Sequence, residues 1–180
     1  MARILVLYGT TEHHTEKIAT AMGATLTARG FAVDIIEAGS QDPRPSGYDG
    51  IIVAASLHAG RFQKAVGQWI RAHRREFGAK PTAFVAVCLA VASKRHGAIA
   101  EVDAIVARFL QDAGWTPTLT KAVAGALLYT QYNFFIRWFM RRIARKEGGD
   151  TDTSRDYEYT DWNDLREFSN AFGRRVAPAA

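Results

Sequence analysis

Residues 4–15 read ILVLYGTTEHHT, and the change of character along this stretch decides the fold. Ile4 to Tyr8 carries no charged residue and no alternation of polar and apolar positions. Such a run belongs to a strand buried on both faces. A polar loop follows, Gly9-Thr10-Thr11-Glu12-His13-His14-Thr15. Beyond it Ile18, Ala19, Met22 and Leu26 recur at helical spacing until Gly30 stops the helix. A buried strand, a hydroxyl-rich loop and an amphipathic helix are the opening of a crossover unit.

The alternation continues outward from there. Phe31 to Ile36 reads as a second strand, and a Pro/Gly/Ser-rich loop over 39–47 leads to a third at Gly50 to Ala55. Gln63 to Phe77 is helical, with Val66, Trp69, Ile70 and His73 on one stripe, and Thr82 to Leu89 is a fourth strand. Ile99, Val102, Ile105, Val106, Phe109 and Leu110 mark a helix that ends at Gly114. Leu119 to Tyr129 reads as a fifth strand and Asp161 to Val176 as a last helix, capped by Thr160 or Asp161. Strands alternating with crossover helices predict an α/β fold, a doubly wound five-stranded parallel sheet whose ligand sits at the carboxyl ends of the strands. About thirty residues, 130–160, fit no normal connection and read as a long helical insertion before the last helix.

Composition narrows the class. With 48% hydrophobic and 23% charged residues over 180 positions, one globular domain spanning 1–180 is expected. Cys88 is the one cysteine, which excludes an intrachain disulfide and a cysteine-built zinc site. Ile4–Leu7 is too short for the apolar part of a signal peptide, so a reducing, cytoplasmic location is expected. The longest apolar run, Ala83–Ala92, is half the roughly 20 residues of a membrane-spanning helix.

Lys and Arg number 23 against 18 Asp and Glu, a net charge of +5. Arg137, Arg141, Arg142, Arg145 and Lys146 stand in one decapeptide without an acid, so the whole excess is local and calls for an anionic partner. Phe134 to Lys146 reads FFIRWFMRRIARK. On a helix, Phe135, Ile136, Phe139, Met140, Ile143 and Ala144 cover one half, and the cations cover the other with Phe134 and Trp138. This pattern predicts an interfacial helix with a basic face for an anionic membrane surface and an apolar face to bury. At about 20 Å it would lie on a membrane rather than cross a hydrocarbon core of roughly 30 Å. A helix packed on its own sheet is the plainer alternative. Nucleic acid ranks below both, since no recognised binding module accompanies the patch.

Three loops share one edge of the expected sheet. The first, through Thr10, Thr11, Glu12, His13, His14 and Thr15, presents hydroxyls and backbone N–H groups at a helix start, where an anion is favoured. It lacks both the Gly-Lys-Ser/Thr ending and the Gly-x-Gly-x-x-Gly fingerprint, and a plain turn capped by Thr15 is the alternative. The second, Ser56 to Phe62, and the third, Leu89 to Lys94, offer small apolar surfaces that suit a flat heteroaromatic ring. Lys94 and Arg95 are placed either to stabilise negative charge on such a ring or simply to meet solvent. His58 is a candidate for handling a proton or an ordinary loop residue. His13 and His14 diverge as neighbours and make no metal pair.

With these elements placed, the chain resembles the flavodoxin-like, quinone-dependent protoporphyrinogen IX dehydrogenases of bacterial haem synthesis. The resemblance covers nearly the full length and is most specific at the insertion: Ala124-Gly125-Ala126-Leu127, the aromatic-basic helix, Gly148-Gly149-Asp150-Thr151-Asp152-Thr153 and Tyr159-Thr160-Asp161-Trp162. Ala54-Ala55-Ser56 with Gly60, and Leu89-Ala90-Val91-Ala92 with Lys94, look like that family's two ring-binding loops. The resemblance implies a flavodoxin-like strand order 2-1-3-4-5. It implies FMN held by the first loop and flanked by Ser56, Leu57, His58 and Gly60 on one side and by Leu89, Ala90, Val91, Ala92 and Lys94 on the other. It also implies a flap bearing Phe135, Arg137, Trp138, Phe139, Arg141, Arg142 and Arg145, which would meet the inner face of the cell membrane and the substrate. The implied reaction is oxidation of protoporphyrinogen IX to protoporphyrin IX with electrons passed to menaquinone or ubiquinone, the flavin carrying the chemistry without a required catalytic side chain. His13 departs from the pattern, since flavodoxin-type phosphate loops usually have glycine there. Either the loop bends differently or His13 offers its own N–H. A flavodoxin-type electron carrier, an NAD(P)H-quinone reductase and a membrane-recruited scaffold are the alternatives.

Overall fold

The computed structural model describes residues 1–131 and 134–177; the side chains of Gln131, Ile136, Phe139, Ile143, Lys146 and Glu147 lie outside the described set. The elements in chain order are β1 (Arg3–Gly9), α1 (His14–Thr27), β2 (Ala32–Glu37), β3 (Gly50–Ser56), α2 (Lys64–His73), β4 (Thr82–Cys88), α3 (Ala98–Ala113), β5 (Leu119–Ala124), β6 (Ala126–Leu127), α4 (Phe134–Glu147), β7 (Tyr157–Glu158) and α5 (Trp162–Val176). The five long strands form one parallel sheet in the order β2-β1-β3-β4-β5, as expected.

The continuous apolar runs are explained by what covers them. Successive side chains of a strand point to opposite faces. Leu5, Leu7, Ile51, Val53 and Phe84 pack against Val66, Trp69 and Ile70 of α2 and Val102 and Val106 of α3. Ile4, Val6, Ile52, Ala54 and Val85 pack against Ile18, Met22 and Leu26 of α1 and Leu165 and Phe172 of α5. The chain leaves β1 toward β2 on one side and crosses back to β3 on the other, so a crevice opens at the carboxyl ends of β1 and β3.

The fifth strand is shorter than its sequence pattern. β5 stops at Ala124, and the next two residues enter a separate antiparallel pair, β6 with β7. The returning chain causes this. Thr160 Oγ1 donates to the Ala124 carbonyl at 2.7 Å, the Tyr159 N–H donates to the Gly125 carbonyl at 3.1 Å, and the Gly125 N–H donates to the Cys88 carbonyl at 3.2 Å. Thr160 is occupied there, and Asp161 alone caps α5, accepting from the Asn163 and Asp164 N–H groups at 3.0 Å each. The second helix also ends early, at His73, whose buried ring is held by Asp42 at 2.6 Å and Glu76 at 3.2 Å.

The insertion contains the expected helix, α4, but not the expected division of its faces. Met140 and Ala144, from the half assigned to a membrane, pack onto Leu89, Leu127 and Tyr129. Phe135 from that same half is 80% exposed, beside Phe134 at 76% and Trp138 at 59%. Arg141, Arg142 and Arg145 are exposed with them, and Arg137 is half-buried. Phe139, assigned to the flap, has its side chain outside the described set. Bare methionine and alanine surface is removed from water by the apolar β6 strand, so the outward face mixes aromatic rings and guanidiniums. The helix ends in a left-handed Gly148 (φ 73°), with the Gly149 N–H donating to the Ala144 carbonyl at 2.8 Å. Tyr129 Oη then donates to the Asp150 carbonyl at 2.8 Å and Tyr159 Oη to the Asp150 carboxylate at 2.7 Å, which ties the segment down. Among the described residues no helix is long and apolar enough to cross a membrane.

Candidate functional site

A cavity of about 220 Å³ opens at the carboxyl ends of the central strands. Thr10, Thr11, Thr15 and Ser56 bring hydroxyls to its lining; Leu57, Leu89, Ala126 and Met140 bring apolar side chains, with Val87 and Cys88 from the end of β4. The hydroxyls of Thr10 and Thr15 are buried and have no hydrogen-bond partner among the described residues. An unmade bond at a buried polar group costs about 1–3 kcal/mol, which a bound acceptor would recover. Thr15 lies in the first turn of α1 and Thr10 just after β1 on the loop leading to it; at that helix start unpaired N–H groups and the dipole favour a negative group. The hydroxyls therefore fit a phosphate without a lysine, and the apolar side chains fit a flat ring. Glu16 in the first turn of α1 would oppose an anion, but its carboxylate faces His13 Nδ1 at 3.3 Å.

His13 resolves the question posed by its sequence. It caps α1 with φ 59° and ψ −6°, the left-handed conformation glycine takes at little cost. The loop therefore keeps the bend that glycine would give it, and the histidine bears the strain. The side chain is 82% exposed and does not line the cavity.

Three groups that sequence reasoning passed over or placed loosely hold the loop in shape. Gln63 Nε2 donates to Thr11 Oγ1 at 3.1 Å and to Ser56 Oγ, joining the first loop to the end of β3. A side-chain carbon at Gly9 would fall 2.5 Å from Val66 Cγ2, so only glycine lets β1 leave the sheet beside α2. His14 lies 2.8 Å through Nε2 from Thr160 Oγ1. Because Thr160 spends its proton on the Ala124 carbonyl, its oxygen accepts, and His14 carries its hydrogen on Nε2. Burial holds the imidazole below its ordinary pKa; Glu158 opposes that and Lys17 adds to it.

The other two loops contribute less than expected. His58 and Arg61 exchange both backbone bonds at 2.9 Å, closing a turn with Ala59 (φ 47°) and Gly60 (φ 75°) left-handed. His58 and Ala59 line the cavity; Gly60 lies outside it. His58 Nε2 is 3.8 Å from Glu12 Oε1, so the first and second loops meet through this pair. Of the third loop, wound as a 3₁₀ turn over Leu89–Ala92, only Leu89 reaches the cavity. Ala90 and Ala92 line a neighbouring one, and Val91 and Lys94 line neither. Lys94 instead lies against the end of α4, where a side-chain carbon at Gly148 would begin 3.7 Å from its Cβ. Arg95 pairs with Glu101 through two bonds of 2.8 and 2.6 Å, so it is not the cation of a ring site. Burial pushes the Cys88 thiol up, keeping it protonated. Gly125, Ala126 and Met140 were absent from the expected site because they reach it only after the insertion folds back.

Comparisons with known proteins agree with this geometry. The family model described as the flavodoxin domain matches residues 5–154. A Leishmania major protein named protoporphyrinogen IX dehydrogenase [quinone] is 33% identical over 94% of this chain and 74% of its own length. The Escherichia coli K12 protein of the same name is 28% identical over 93% of this chain and 92% of its own. Among solved structures, oxidised flavodoxin 1 from Bacillus cereus superposes with a TM-score of 0.58 at 14% identity, covering 99% of this chain and all of the other. A short-chain flavodoxin associated with a bacterial microcompartment gives 0.60, also at 14% identity, over 98% of this chain. These structures establish the fold.

Two outcomes follow from the first loop. His13→Gly should stabilise the protein by on the order of 1 kcal/mol in a urea titration, because it removes left-handed strain at an exposed site. Because the His14 pKa is lowered on folding, the unfolded chain binds the proton first. The stability His14 contributes is present above its ordinary value near 6.5 and lost as pH falls through it. The advantage of the wild type over His14→Gln in denaturant midpoint should therefore shrink between pH 7.5 and pH 5, about one unit above and well below that value.

Proposed function

We propose that this chain, which belongs to the flavodoxin domain family and is related along nearly its whole length to quinone-dependent protoporphyrinogen IX dehydrogenases, uses FMN to oxidise protoporphyrinogen IX to protoporphyrin IX and passes the electrons to a membrane quinone. The observation that carries this reading is the cavity whose lining includes Thr10 and Thr15, their buried hydroxyls without a partner among the described residues, together with Met140 of the insertion. When bound, FMN supplies reversible acceptance of electrons and hydrogen. Thr10, Thr15 and the first N–H groups of α1 would hold its phosphate. Leu57, Ala59 and Leu89 would lie against the ring, and Ala126 and Met140 would exclude water from it. His58 Nε2, half-exposed and facing Glu12, is the group at the mouth able to take a proton and return it to solvent.

Two features favour an enzyme over a simple electron carrier. Met140 brings α4 onto the cavity, which a carrier working between proteins would not need. The outer face of that helix sets Phe134, Phe135 and Trp138 beside Arg141, Arg142 and Arg145, a combination suited to the anionic inner surface of the cell membrane, where quinone resides.

Loaded with FMN under anaerobic conditions, the protein should lose its oxidised-flavin absorbance on addition of protoporphyrinogen IX and regain it with menadione. Rapid bleaching by NADPH with none by the porphyrinogen would replace this reading with an NAD(P)H-quinone reductase. Binding to anionic vesicles in low salt should weaken roughly a hundredfold when Arg141, Arg142 and Arg145 are all changed to Ala, at about 1 kcal/mol each. Vesicle flotation measures it, and unchanged binding would remove the membrane role of α4.

A further inference from the structure

A second cavity, also about 220 Å³, lies under α4 beside the one already described, and Leu89 and Met140 are the wall common to both. Its lining is otherwise small and apolar, with Ala90, Ala92, Leu127 and Ala144. Three polar side chains reach it. Ser93 Oγ accepts from the Arg95 N–H at 3.0 Å. The Arg95 guanidinium is engaged by both oxygens of Glu101. Tyr159 donates to Asp150 at 2.7 Å, and burial together with that carboxylate pushes its pKa up to about 12, so it stays a neutral phenol.

These features select the occupant. With the Arg95 charge balanced by Glu101, a ligand carrying carboxylates would be desolvated here without a dedicated counter-charge. Contiguity supplies the rest, since Leu89 and Met140 wall both this space and the first cavity. We propose that the cavity under α4 receives the uncharged ring of the quinone, with Met140 as the partition between quinone and cofactor. This rests on the reading that the chain uses FMN and a quinone, and adds to it a site distinct from that of the porphyrinogen.

The chain has three methionines, which makes methyl-¹³C-methionine NMR a direct test. Met140 lies in the partition, Met22 is fully buried in the α1 core and Met1 is 93% exposed. Menadione added to the oxidised, FMN-loaded protein should shift the Met140 methyl and leave Met22 in place. Ala92→Phe, at an exposed position on the lip, should raise the menadione Kd at least tenfold while leaving the Met140 shift caused by FMN unchanged. Ala144→Leu, which fills the cavity from the helix side, should act the same way and guards against a variant that fails to fold. A menadione shift that survives both substitutions overturns the proposal. So does a response to protoporphyrin IX that Ala92→Phe abolishes while menadione gives none. Failure of FMN itself to move Met140 strikes the cofactor reading instead, and the menadione titration then decides the quinone site on the protein without FMN.

Discussion

Where β5 ends, its last backbone groups must still find partners, because a buried carbonyl left without a donor costs as much as a lost hydrogen bond. The Thr160 hydroxyl meets the Ala124 carbonyl and the Tyr159 N–H meets that of Gly125. Those two bonds determine where a thirty-residue excursion returns to the sheet, and the rest of the site follows. Since Thr160 gives its proton to Ala124, it can only accept from His14, which sets the tautomer of that ring and ties the mouth of α1 to the return point. Since the chain turns at Gly125, β6 can pair with β7, and α4 has an apolar shelf of Leu127 and Tyr129 to lie on.

The first loop shows the complementary economy, in which strain and unmet polarity concentrate where a ligand goes. His13 holds a left-handed backbone, and the hydroxyls of Thr10 and Thr15 on either side of it in the chain are buried without partners among the described residues. Gln63 bridges Thr11 and Ser56, and Gly9 accommodates Val66, so the loop cannot relax by collapsing into the space. A site prearranged in this way loses little on binding, because the ordering was done during folding.

α4 separates this chain from a plain carrier by doing two things with opposite faces. Its inner face, through Met140, lines two neighbouring cavities. Its outer face keeps three aromatic rings and three arginines in solvent. Its C-terminal end is pinned through Gly149, Asp150 and the tyrosines 129 and 159, so the helix is part of the fold.

The order of the sheet came from the resemblance, while the local patterns were sufficient for the five strands, the hydroxyl loop before α1 and a basic-aromatic helix between 134 and 146. Each of these depends on residues near one another in the chain: periodicity, turn chemistry and the charge of a decapeptide. What they left undecided depends on contacts between distant segments. Leu119–Tyr129 reads as one apolar strand, and only Thr160 and Tyr159, more than thirty residues on, cut it at Gly125. The helical wheel of α4 gives its two faces, but the partner that takes Met140 and Ala144 is a strand pair formed by the insertion itself, which draws those two residues inward and leaves Phe135 of the same half exposed. Lys94 and Arg95 stand at the right distance in sequence for a ring site and are drawn away by Gly148 and Glu101. Spacing along a chain therefore determined which groups were available, and pairing across it, which minimises unmatched buried polarity and exposed apolar surface, determined which of them face the cavity.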